Sequence, residues 1–122
     1  MASEISVTAT LRVSKGGASI APTKTKVFDM GGDYLTDNVQ KIGTATEAIE
    51  FGDVSLVGGY VYIHNLDTVK TVTISLAATN PMVVSFITLQ PDGIAIFPCT
   101  TLTMYAAASA DFASVEFAAC DF

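Results

Sequence analysis

The chain has 122 residues, half of them hydrophobic and only 15% charged, with a net charge of −6 and a pI near 4.4. This length fits one domain with one core over residues 1–122, and the acidic balance argues against nucleic acid as a partner, because phosphate contacts require clustered Lys and Arg. A membrane partner is equally unexpected: the longest apolar runs, such as VVSFITL at 83–89, fall well short of the ~20 residues of a spanning helix.

Residues 4–13, EISVTATLRV, set Ile5, Val7, Ala9, Leu11 and Val13 on one face and Glu4, Ser6, Thr8, Thr10 and Arg12 on the other. Strict period two predicts a strand with one buried and one wet face. As an N-terminal strand over 1–13 it pairs within its own sheet or with a neighbouring chain. The same opening lacks the basic region and apolar block of an export signal. Lys15, Gly16 and Gly17 supply a turn in which glycine accepts positive φ. The segment 18–30 returns as a second strand, with Pro22 excluded from a central ladder position. Met30, Gly31, Gly32 and Asp33 mark the next turn. Residues 38–51 predict two short strands around Gly43, in preference to a helical turn at 46–50.

The strand signal strengthens after Asp53. GYVYIHNL and VKTVTISLA read as a hairpin turning near Asn65 to Thr68, with Val72, Ile74 and Leu76 on one face of the return strand. In the outgoing strand Val61 and Ile63 share one face, so Tyr60, Tyr62 and His64 share the other. PMVVSFITL and IAIFPC flank the turn QPDG at 90–93, where proline presets φ and glycine is expected to take the left-handed position. Strands from 101 and from 113 complete the chain, the last with Val115 and Phe117 opposite Ser114 and Glu116. Eight or nine short strands with turns about every ten residues predict an all-β fold, a single antiparallel β-sandwich or jelly-roll-like barrel.

Few residues point to chemistry. His64 is the sole histidine, so the multi-histidine metal site of cupin-type jelly rolls has no ligands to assemble from. No GxSxG elbow accompanies it, no DxDxDG loop is present, and neither a cofactor nor an enzymatic activity is expected. His64 is expected at a strand end, bonded to the adjoining turn; the alternative reading has Tyr60, Tyr62 and His64 forming an aromatic contact patch. The cysteines, Cys99 and Cys120, are too few for a disulfide scaffold, and reduced thiols are the default. All six basic residues (Arg12, Lys15, Lys24, Lys26, Lys41 and Lys70) lie in the first 70 positions; beyond Lys70 the charged residues are Asp92, Asp111, Glu116 and Asp121. Gathered on one face, these residues would suit an acidic protein surface; scattered, they are simply a solvated exterior, which is the favoured expectation.

The succession EFGDV, GGYVYIHNLD, VTISL, FITLQPDGIAIFP, LTMYAAASADFASVEF, spanning about residues 47–122, resembles small virion structural proteins of tailed bacteriophages. The pattern is a strand ending in an Asn-Leu-Asp turn, a strand, an L-x-P-x-G turn and a final hydrophobic strand. The resemblance implies a non-enzymatic capsid decoration or cement protein. Such a protein binds the major capsid protein on the outer surface of the head and acts as a homo-oligomer, often a trimer. It is made in the host cytoplasm and resides in the virion. A tail or neck subunit is the alternative within virions. A carbohydrate-binding sandwich using Tyr60, Tyr62 and Tyr105 is the alternative of another class. Candidate interface residues are Ile5, Val7 and Leu11 on the N-terminal strand, with Tyr60, Tyr62 and His64 on the aromatic face.

Overall fold

The computed structural model describes residues 5–28, 35–51, 59–76, 86–99 and 104–121. Over these residues the chain is all-β, with antiparallel sheets and no helix. Twelve strands form among the described residues, rather than eight or nine. Part of the excess arises near the N-terminus, where each of the two expected strands is interrupted once and yields two. No closed barrel is seen among the described residues, since every sheet ends on edge strands. The backbone packs as two compact units, Met1–Gly31 and Gly32–Phe122.

The first unit is a long β-ribbon. Strands β1 (Ile5–Thr10) and β4 (Thr23–Phe28) pair antiparallel, Ile5 opposite Phe28 and Thr10 opposite Thr23. Beyond a break, β2 (Val13–Lys15) pairs with β3 (Ala18–Ile20). Leu11 N donates to Pro22 O at 3.0 Å across the break, which is where a residue without an N–H does least harm to the ladder. At the tip Gly16 and Gly17 have φ of 60° and 85°, the paired positive values of a type I′ turn, whose twist matches that of the strands. The N-terminal strand therefore pairs within its own chain. Its apolar face is not the buried face expected. Ile5 is buried and Val7 half-buried, but Ala9, Leu11 and Val13 are exposed. A two-stranded ribbon supplies a ladder but no second layer to cover it.

Among the described residues the second unit holds eight strands in two sheets of four. Strands β5 (Leu35–Gly43), β7 (Gly59–Asn65), β10 (Ile94–Cys99) and β12 (Phe112–Asp121) form one, in the order β10-β7-β12-β5. Strands β6 (Glu47–Ala48), β8 (Val72–Ser75), β9 (Ile87–Leu89) and β11 (Tyr105–Ala108) form the other, in the order β6-β11-β8-β9. The two strands expected around Gly43 are β5 and β6. The chain changes sheet at every connection except β8 to β9. The hairpin expected between GYVYIHNL and VKTVTISLA therefore does not exist: β7 pairs with β10 and β12, and β8 with β11 and β9. The turn expected at residues 30–33 lies outside the described residues.

One hydrophobic cluster receives side chains from both sheets: Ile42, Val61, Ile63, Val115, Phe117 and Ala119 from the first, Val72, Ile74, Leu89, Ala106 and Ala108 from the second. Phe51 meets Phe117 edge to face, with ring centroids 5.3 Å apart, a favoured aromatic geometry. Gln40 reaches across from β5. Its Nε2 donates to Ala48 O at 2.9 Å, and its Oε1 accepts from Glu50 N at 3.0 Å, replacing ladder bonds with side-chain ones.

Candidate functional site

The outer face of the β10-β7-β12-β5 sheet gathers the residues singled out on the aromatic strand. Because Val61, Ile63, Val115 and Phe117 point inward, period two turns Tyr60, Tyr62, His64, Glu116, Ala118 and Cys120 outward. The strand register arranges them in three rows. The first runs Ile94, His64, Glu116, Val39; the second Ile96, Tyr62, Ala118, Asp37; the third Pro98, Tyr60, Cys120, Leu35. The flanks of this platform are apolar and exposed, Leu35 at 72% and Ile94 at 65%, while its centre is half-buried. Tyr62 and His64 stand edge-on with ring centroids 6.5 Å apart.

His64 is fixed by a residue read in the sequence only as a turn former. Its Nε2 lies 2.7 Å from Asp92 Oδ1; an ionised carboxylate only accepts, so Nε2 carries the proton. The expectation that His64 bonds a turn is correct in kind, but the turn is 90–93, not the adjoining 65–68. Asp92 itself holds the left-handed position, at φ 60°, where Gly93 was expected to. Glycine is needed at 93 for space: a Cβ there would lie 2.8 Å from Gln90 O and 3.0 Å from Gln90 N.

The two turns beside the platform interlock. Asn65 is fully buried; its Nδ2 donates to Lys70 O at 2.8 Å and Gln90 O at 3.1 Å, and its Oδ1 accepts from Asp67 N at 3.1 Å. Asp92 N donates to Asp67 O at 2.9 Å, and Asn65 N to Gly93 O at 2.9 Å. Asp67 Oδ1 accepts from the backbone N–H of Val69 and of Lys70 at 2.8 and 2.7 Å. Those two bonds, with help from the Lys70 charge, hold the Asp67 carboxyl below its usual value of 3.8. A platform rimmed by such a corner is rigid where His64 meets it.

Its charges are unevenly neutralised. Glu116 bonds the Asp37 carboxyl diagonally across β12 and β5; that bond, with partial burial and the charge of Asp37, raises the Glu116 pKa above 4.5. Both lysines of this unit attend Phe112 instead, Lys41 Nζ lying 4.2 Å and Lys70 Nζ 5.9 Å from its ring centre, while Lys70 Nζ also donates to Phe112 O. Among the described residues no group of three or more His, Cys, Asp or Glu is placed to hold a metal ion.

The sequence grouped Tyr60, Tyr62 and His64 correctly, and the structure adds Ile94, Ile96, Val39 and Leu35 around them. Those additions come from strands far away in sequence, and only the register reveals them. Ile5, Val7 and Leu11 belong to the separate ribbon, where Leu11 is 58% exposed. Tyr105 lies on β11 in the opposite sheet, so it does not join Tyr60 and Tyr62. No protein-family model, curated protein or solved structure matches this chain.

Proposed function

We propose that this is a non-enzymatic phage virion structural protein, a capsid decoration or cement protein that binds the outer surface of the head and stabilises contacts between major capsid subunits. The observation that carries the reading is the outward platform: an exposed apolar sheet face with an aromatic centre, held by a rigid corner, which is built for contact with another protein surface. The strand orders β10-β7-β12-β5 and β6-β11-β8-β9, with a change of sheet at nearly every connection, support a jelly-roll sandwich, an architecture used in viral shells. The exposed ribbon supplies a second contact element on the same chain. A protein with two contact elements clamps neighbouring shell subunits by multivalency, so many weak attachments resist internal pressure together.

In this reading the partner is the major capsid protein, the working form is a homo-oligomer with a trimer favoured, and the location is the virion surface after synthesis in the host cytoplasm. The test is direct. Heads assembled without the protein rupture at lower temperature or milder osmotic shock than decorated heads, and adding purified protein restores their resistance. Equal rupture thresholds would discard the reading. Attachment to purified tails but not to heads would transfer the role to a tail or neck subunit. Binding to glycans by the isolated protein, lost on Tyr60→Ala with Tyr62→Ala, would establish the carbohydrate-binding alternative.

A further inference from the structure

The two units carry opposite charge. Residues 1–31 hold four cations, Arg12, Lys15, Lys24 and Lys26, against Glu4 and Asp29, for a net +2; residues 32–122 hold two cations against ten carboxylates, for a net −8. The outer half of the ribbon is also apolar and open. Leu11, Val13 and Ile20 are each close to half exposed or more, and Val13 and Ile20 sit directly opposite one another on a single face. Between the two halves of the ribbon an open groove of about 370 Å³ is lined by Ala9, Leu11, Pro22 and Lys24, among others.

The platform presents the complement. Leu35, Val39, Ile94 and Ile96 are exposed on its flanks, with the Asp37 and Glu116 carboxyls between them. Strands about 4.8 Å apart and outward rows about 7 Å apart make it a few hundred Å² in area, the size at which an exposed apolar patch marks an interaction site. Apolar side chains ringed by cations thus face, in chemistry, apolar side chains interleaved with carboxylates.

We infer that the ribbon of one copy docks on the β10-β7-β12-β5 platform of a second copy, Leu11, Val13 and Ile20 covering its apolar flanks while Lys15 and Lys24, on the same ribbon face by register, neutralise Asp37 and Glu116. The contact joins different surfaces on the two partners, so it forms a reciprocal pair, a ring or an open chain according to the rotation between copies. Ile94, projecting from edge strand β10, is suited to enter the groove at the ribbon's break. Steering comes from the charge asymmetry and affinity from the apolar contacts. The inference rests on the homo-oligomer of the proposed function and deepens it, and it is read on the isolated protein so that its failure is distinct from a failure of head binding.

Sedimentation of the full chain over a range of concentrations tests it. The native protein self-associates, and the association weakens as salt is raised to ~1 M, where the screening length falls to about 3 Å. The ribbon variant Lys15→Glu with Lys24→Glu, and the platform variant Asp37→Lys with Glu116→Lys, each associate at least ~10-fold more weakly. Mixing the two variants restores a one-to-one complex, because one supplies an intact ribbon and the other an intact platform. Circular dichroism establishes that each variant is folded; should the platform variant not be, Leu35→Ser with Ile94→Ser gives the same readout from exposed positions. A native chain that stays monomeric, variants that associate as tightly as the native protein, or a mixture that forms no complex would each overturn the inference. Loss of head binding with self-association intact would sink the virion reading alone.

Discussion

Asn65 is the residue on which the most structure depends. Its side chain is fully buried and ties the chain leaving β7 to the carbonyls of Lys70 and Gln90, so it fastens both turns at once. Asn65→Ala would leave those carbonyls buried and short of a donor. The expected cost is on the order of 3 kcal/mol, read as a fall in melting temperature of about 10 °C or more. A variant that melts with the native protein would show that water replaces the amide without loss. Two carboxyls make stability depend on pH in opposite senses. The Asp67 pKa is lowered in the folded state by its backbone donors, so its contribution is fully present above 3.8 and is lost as pH falls through the folded value. The Glu116 pKa is raised, chiefly by the bond to Asp37, so its contribution is present below 4.5 and is lost as pH rises through the folded value. Asp37→Asn removes one of two adjacent negative charges. The variant should therefore melt above the native protein at about pH 7, with the difference shrinking as pH drops below 4.5. A difference that grows toward acid would contradict this assignment.

At the scale of elements, the ribbon and the sheets obey different rules. The ribbon is held by its ladder and by turn chemistry at Gly16 and Gly17, with its side chains mostly in water. Two strands alone are marginal, so this is the element expected to exchange its amide protons first. The sheets are held by a shared core, every member of which lies between Ile42 and Ala119. A chain starting at residue 32 should accordingly fold by itself and melt within about 5 °C of the full protein. Failure of that fragment to fold would mean that the ribbon contributes to stability in a way its exposure does not indicate. Tyr60, Tyr62 and His64 were legible as a group because alternation within one strand assigns faces reliably. Asp92 was legible as a turn residue, yet its bond to His64 spans 28 positions and depends on β7 and β10 being neighbours.

For the whole molecule, the arrangement of charge and apolar surface matters more than its amount. Half the residues are hydrophobic, and the described core uses only part of that content: Leu11, Val13 and Ile20 on the ribbon, and Leu35, Val39, Ile94 and Ile96 on the platform, remain in solvent. Surfaces of this kind fit a protein that works in contact with others. The proposed self-association and the proposed attachment to a shell are separable by the experiments described above.

Alternation, glycine and proline placement and the lack of any long apolar or helical period were enough to establish an all-β chain, the turn at the ribbon tip, the break at Pro22 and the shared face of Tyr60, Tyr62 and His64. These properties depend on neighbours in the chain, and local sterics express them directly. Which strands pair was decided only in three dimensions. A turn such as Asn65 to Thr68 has nearly the same local chemistry whether it returns the chain to its own sheet or carries it to the opposite one. The choice was made by the burial of Val72 and Ile74 against Val61, Ile63 and Phe117 and by the carbonyls that Asn65 finds at Lys70 and Gln90. The platform follows from that choice, since β10, β7, β12 and β5 become neighbours only after the chain has crossed between sheets.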